Sequence, residues 1–169
     1  MGGMLTTIQQ ACHRTYDAIM VLGYTAQGVH GHYNGRQIRT STFLPANHQP
    51  ADYTSNDRLS QRENFHWEDV PAEVIAADDA LAVETPSQIG VVSIYTGIIA
   101  EEAARIDVPV FLGLGERDVS PDPAAESLFF RNSTDFTRYI LPRSAHCQSF
   151  AGTRHLFWNR MHSWAHGLV

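Results

Sequence analysis

The sequence predicts an α/β fold, a parallel sheet with helices on both faces. Two observations carry this. Unbroken apolar runs, Ala18–Leu22 and Val108–Leu114, have the pattern of strands buried on both sides. Segments of helical period alternate with such runs, in the order helix, strand, long insertion, helix, strand, helix, strand, helix. The 169 residues suit one domain of about 100–200 residues.

Each element has its own signal. Met4, Leu5, Ile8, Ala11 and Cys12 recur on one helical face, so a helix starts almost at residue 1. Met1-Gly2 with Thr6 also matches an N-myristoylation pattern, but the helical reading accounts for the same residues. Ala18–Leu22 reads as a fully buried strand ended by Gly23. From Tyr24 to about Glu84 polar residues, Gly and Pro dominate, with Tyr33, Phe43, Tyr53, Phe65 and Trp67 scattered among them. Between Ala51 and Glu84 the acids (Asp52, Asp57, Glu63, Glu68, Asp69, Glu73, Asp78, Asp79, Glu84) far outnumber the bases Arg58 and Arg62, which reads as a solvated face. Pro71 sits where an N1 proline opens a helix, with Val74, Ile75 and Leu81 as its apolar stripe. A second helix is expected from about Ser87 to Arg105. Val108–Gly115 is the next strand, its Pro109 near the start, where a missing N–H is tolerated. Pro123–Phe130 predicts a short helix and Phe136–Leu141 a third strand. Arg154–His166 predicts a helix with Phe157, Met161, Trp164, Ala165 and Leu168 on one face.

Composition excludes several classes. A net charge of −6 argues against nucleic-acid or anionic-membrane surfaces as partners. No window approaches the ~18 consecutive apolar residues of a membrane span. Cys12 and Cys147 are the two cysteines, in no CxxC pair. They provide no disulfide framework and suit a reducing, cytoplasmic setting. Every cationic residue is Arg and none is Lys, without clustering.

Asp118 and His146 carry the chemistry. Asp118 follows the strand ending at Gly115, and His146 follows the strand ending at Leu141. Adjacent parallel strands share one edge, where ligand sites gather. There a carboxylate fixes an imidazole's tautomer and stabilises its protonated form, leaving the other ring nitrogen as general base. Alone, an Asp after a strand is a turn former and a lone His is structural. On successive strands with a helix between, the pair is much more specific.

These residues resemble the α/β-hydrolase family. Val108-Pro-Val-Phe-Leu-Gly-Leu-Gly-Glu-Arg-Asp118-Val-Ser-Pro is similar to its acid strand and loop. Tyr139-Ile-Leu-Pro-Arg-Ser-Ala-His146 is similar to its histidine strand and loop. The resemblance implies a partial α/β-hydrolase fold: the last three parallel strands with flanking helices, and a helical lid inserted at 24–105 within a single domain 1–169. It implies hydrolysis of an ester or related bond of a small-molecule substrate, without cofactor or metal. The family's G-x-S-x-G nucleophile elbow is absent. Met1-Gly2-Gly3 before a helix resembles the second half of such an elbow. The nucleophile, whether Ser, Asp or Cys, would then precede Met1. The Met1 backbone N–H would serve the oxyanion hole, and this chain would be inactive alone. The strand Asp17–Gly23 would lack a neighbour and expose an edge for self-association.

Other residues compete. Cys147 adjoins His146, but sequence neighbours on a loop usually point apart. Ser41, Ser144 and Ser149 stand in no elbow. His30-x-His32 and His162-x-x-x-His166 have ligand-like spacing without a third partner. A non-catalytic ligand-binding module and, less readily, a His-rich metal-binding protein are the alternatives.

Overall fold

The computed structural model describes residues 1–40, 53–54 and 58–168. Ser41, Phe43, Asp52 and Asp57 lie outside the described residues. The main sheet is three-stranded and parallel throughout, with the strand Val110–Gly115 between Ile19–Leu22 and Phe136–Leu141. Its strands are β1 (Ile19–Leu22), β6 (Val110–Gly115) and β7 (Phe136–Leu141). Every residue of β6 is buried. Val110, Leu112 and Leu114 face one core with Ile19, Val21, Ile99 and Ile106, while Phe111 faces another with Leu141 and Phe157. Burial on both faces is why β6 reads as an unbroken apolar run.

Helix α1 (Gly2–His13) packs on β1. Its buried residues are Gly3, Met4, Thr7 and Gln10, whereas Leu5 and Cys12 are exposed. The buried face is thus rotated from the expected one. Polar residues can occupy it because they are satisfied: Thr7 donates to the Gly3 carbonyl at 2.9 Å, and Gln10 exchanges bonds with the Tyr16 backbone at 2.9 and 2.8 Å. Strand β1 is shorter than expected and not fully buried, with Leu22 38% exposed. Its one ladder partner among the described residues is β6.

The segment after β1 holds strands as well as helices. A hairpin forms from β2 (His30–Tyr33) and β3 (Arg36–Arg39). Asn34 and Gly35 turn it with φ of 52° and 73°, as a two-residue type I′ turn requires. Strands β4 (Tyr53–Thr54) and β5 (Thr85–Pro86) pair briefly. Helices α2 (Arg62–Phe65) and α3 (Ala72–Ala80) lie between them. Pro71 caps α3 from just outside; Val74 and Ile75 are half-buried, but Leu81 is exposed. The acidic face is partly ion-paired: Arg58 and Arg62 meet Asp79 at 3.5 and 3.0 Å, and Arg143 meets Asp69 at 2.7 Å.

The long helix expected over 87–105 is two short ones, α4 (Ser87–Val92) and α5 (Ala100–Ala103). Gly97, at φ 67°, adopts a left-handed conformation that no helix continues through. The helix expected over 123–130 is a 3-10 turn, Ala125–Leu128. There the buried Glu126 carboxylate accepts Ala26 N–H at 3.0 Å, Gln27 Nε2 at 2.8 Å and Ser120 Oγ at 2.6 Å. Those bonds tie the loops after β1 and β6 together. Helix α6 (Arg154–His166) runs as expected and packs on β6 and β7. Phe157, Met161 and Trp164 make that contact, while Ala165 and Leu168 are exposed.

Candidate functional site

The structure brings Asp118 and His146 together at the C-terminal edge of the sheet. Strand β6 delivers Asp118 and β7 delivers His146, and their loops are laced by backbone bonds. Glu116 N–H donates to the Leu141 carbonyl and Arg117 N–H to the Ser144 carbonyl, both at 3.0 Å. The approach is close enough to demand glycine at 115. A Cβ there would stand 2.4 Å from the Ala145 oxygen and 2.7 Å from the Ser144 oxygen.

Four donors surround the Asp118 carboxylate, whose side chain is 2% exposed. Oδ2 accepts Gly115 N–H at 2.9 Å and Gln148 Nε2 at 2.6 Å. Oδ1 accepts Val119 N–H at 2.8 Å and stands 2.8 Å from His146 Nδ1. An ionised carboxylate accepts only, so the Nδ1 proton is the one shared and Nε2 is left as a base. Phe65 meets the His146 ring edge-on, with centroids 6.1 Å apart.

The insertion holds this site from above. His146 N–H donates to the Asn64 carbonyl at 3.0 Å and Cys147 N–H to the Phe65 carbonyl at 2.9 Å. Arg117 reaches back to the Glu63 and His66 carbonyls at 2.7 and 2.9 Å, pairs with Glu68, and stacks over Trp67 at 4.7 Å. Asp118 and His146 border a cavity of about 710 Å³. Met1, Tyr24, His32, Phe65 and Ile94 are among its walls. The Tyr24 hydroxyl donates to the Ser93 carbonyl at 2.6 Å, and burial pushes its pKa up to about 12. Burial, with Arg117 next in weight, lowers the pKa of His32.

The remaining sequence candidates fall elsewhere. Met1 is the residue before α1 and shares the cavity wall with His146. Gly3 packs so tightly that a Cβ would stand 2.6 Å from Tyr24 Cβ. Ser144 is buried in the histidine loop, and Cys12 and Cys147 are free thiols. The pairs His30/His32 and His162/His166 join no metal-ligand cluster among the described residues. A grouping of His66, Asp78 and Cys147, which the sequence reading missed, does exist. Nothing in the sequence spacing signals it, because three separate elements contribute.

No family model and no curated protein matches the chain. Solved structures do. One, from work on the metagenome-derived lipolytic enzymes LipS and LipT, matches at TM-score 0.61 and 15% identity, over 97% of this chain and 61% of that one. The monoacylglycerol lipase of Paleococcus ferrophilus matches at TM-score 0.66 and 15% identity, over 96% of this chain and 63% of that one. The likeness shows the fold: a parallel three-stranded sheet flanked by helices that matches part of these α/β-hydrolase structures. The chain therefore spans part of the length of these structures. No described helix is long and apolar enough to cross a membrane.

Proposed function

We propose that this chain carries the acid and the general base of a hydrolase that cleaves ester or related bonds of small molecules. The supporting observation is the Asp118–His146 pair at 2.8 Å beside a cavity of about 710 Å³. The lipolytic activity of the two similar structures agrees with it. In this reading the nucleophile is the residue on the N-terminal side of Met1, at the mouth of α1. His146 Nε2 takes its proton as it attacks the acyl carbon, then returns that proton to the leaving alkoxide. Water, deprotonated by the same nitrogen, releases the acid. Asp118 keeps the ring in register and stabilises the imidazolium. The Met1 backbone N–H donates to the oxyanion. Gly3 supports this placement, since its lack of Cβ lets the start of α1 press against Tyr24. Within 24–105 we assign the role of a lid to the part around residues 63–68, on the bonds it makes to the histidine loop, while Ile99 and Ala103 at its far end pack in the sheet's core; the two free thiols favour a cytoplasmic setting.

The test compares this chain with one lengthened by the residues encoded in frame ahead of Met1. The lengthened protein is expected to hydrolyse short p-nitrophenyl esters, and His146→Ala to abolish turnover. The 169-residue chain is expected to show no covalent labelling by a fluorophosphonate. Stoichiometric labelling of that chain at one of its own serines would overturn the placement of the nucleophile. A lengthened protein that binds esters without turnover would make this a binding module.

A further inference from the structure

Three side chains converge behind the histidine loop, apart from the cavity. A ring nitrogen of His66, a carboxylate oxygen of Asp78 and Sγ of Cys147 all lie within 4.8 Å of one another. His66 follows α2, Asp78 belongs to α3, and Cys147 follows His146. None of the three borders the cavity that holds His146.

Two further observations point to a ligand. His66 is 4% exposed, and its Nδ1 is buried with no hydrogen-bond partner among the described residues. Buried ring nitrogens are ordinarily satisfied, so the imidazole that meets Asp78 through Nε2 is one partner short as it stands. Asp78 also already holds one cation, the Arg58 guanidinium, and its Oδ2 lies 3.1 Å from His66 Nε2.

We propose that His66, Asp78 and Cys147 form a binding site for a divalent transition-metal ion of the zinc type. The donor set is imidazole nitrogen, thiolate sulfur and carboxylate oxygen, which zinc and cobalt accept and magnesium or calcium do not favour. The charges match. A neutral imidazole, one thiolate and one carboxylate balance a dication. Metal–ligand bonds of about 2.0–2.3 Å require the donors to draw in from their present spread. Arg58 has somewhere to go, since it already reaches Asp79 at 3.5 Å. The exchange balances: the ion gains a bond to sulfur, the Cys147 proton passes to solvent, and the Arg58–Asp78 ion pair opens. Water completes the coordination. The bound ion would staple α3 and the end of α2 to the loop that carries His146.

The test is cobalt titration of this chain in a Cys12→Ser background, which removes the exposed second thiol. One equivalent of Co²⁺ is expected to raise a near-ultraviolet thiolate-to-cobalt charge-transfer band. It should also release one proton and shield Cys147 from alkylation. Asp78→Asn should weaken binding ~10-fold or more, and Cys147→Ser should remove the band. Should Cys147→Ser fail to fold, shielding of Cys147 in the parent chain decides. No band and no shielding at saturating Co²⁺ would overturn the proposal. So would a band that survives Cys147→Ser, or binding unchanged by both Asp78→Asn and His66→Gln.

Discussion

Asp118 works through its surroundings as much as through its charge. All four of its bonds run from donors to a carboxylate, and two come from the main chain of its own loop. An amide at this position keeps the shape but puts an NH2 where an oxygen met two donors; on the Oδ1 side it opposes Val119 N–H and leaves His146 in the wrong tautomer. On the proposed hydrolase reading, Asp118→Asn and His146→Ala in the lengthened chain should each lower kcat by about 10⁴ with folding retained. A variant that loses stability but keeps kcat would make Asp118 a loop cap. Gly115 is as exacting. Gly115→Ala places a methyl against the Ala145 oxygen, so the histidine loop must lift from β6. The expected cost is about 2 kcal/mol in urea unfolding, together with loss of the downfield Nδ1 proton resonance of His146. An alanine variant with both unchanged would show that the loops need no such proximity.

Among the elements, the hairpin β2–β3 carries a titratable switch in stability. His32 is held below its ordinary pKa by burial first and by Arg117 second, against Glu63 and Asp118, which pull it up. Between that lowered value and about 6.5 the unfolded chain binds a proton that the folded chain declines. Stability therefore rises with pH across this window and is lost as pH falls through it. His32→Gln should flatten that part of the profile, read as Tm between pH ~5 and ~7.5. An unchanged profile would mean that His32 titrates as freely in the fold as in the unfolded chain. The same hairpin shows what sequence reasoning misses. Asn34-Gly35 is a strong turn signal, yet the flanks His30–Tyr33 and Arg36–Arg39 lack apolar alternation, so no strand pattern surrounds it. Strands β6 and β7 and helix α6 were legible because their burial imposes period and apolar runs. The break at Gly97 was hidden because glycine inside a helical pattern signals a stop only when its φ is known. Asp118 and His146 could be paired from sequence because each closes a strand of the same sheet. His66, Asp78 and Cys147 could not, since only packing of separate elements joins them.

For the molecule as a whole, β1 and β7 are the two edge strands of the sheet among the described residues, and β1 is the edge next to α1. Ile19 N–H donates to the Pro109 carbonyl at 3.0 Å and Gly23 N–H to the Gly113 carbonyl at 2.8 Å. By strand alternation Val21 N–H faces β6 as well, while the amides of Met20 and Leu22 face away from it. In dilute solution Val21 should resist hydrogen exchange and Met20 and Leu22 should exchange freely. If chains pair through this edge, protection of Met20 and Leu22 should grow with concentration. Strong protection of both in a demonstrated monomer would contradict this account of the edge.

Arg117 joins the acid loop to the segment over the cavity. One side chain, rooted next to Asp118, grips residues 63–68 through two carbonyls, one carboxylate and one indole face. The segment above the cavity cannot swing aside without either surrendering that grip or tugging on the acid loop. Opening the roof and keeping the base aligned are thus mechanically opposed, so entry of a bulky ligand and loss of imidazole alignment should occur in the same event.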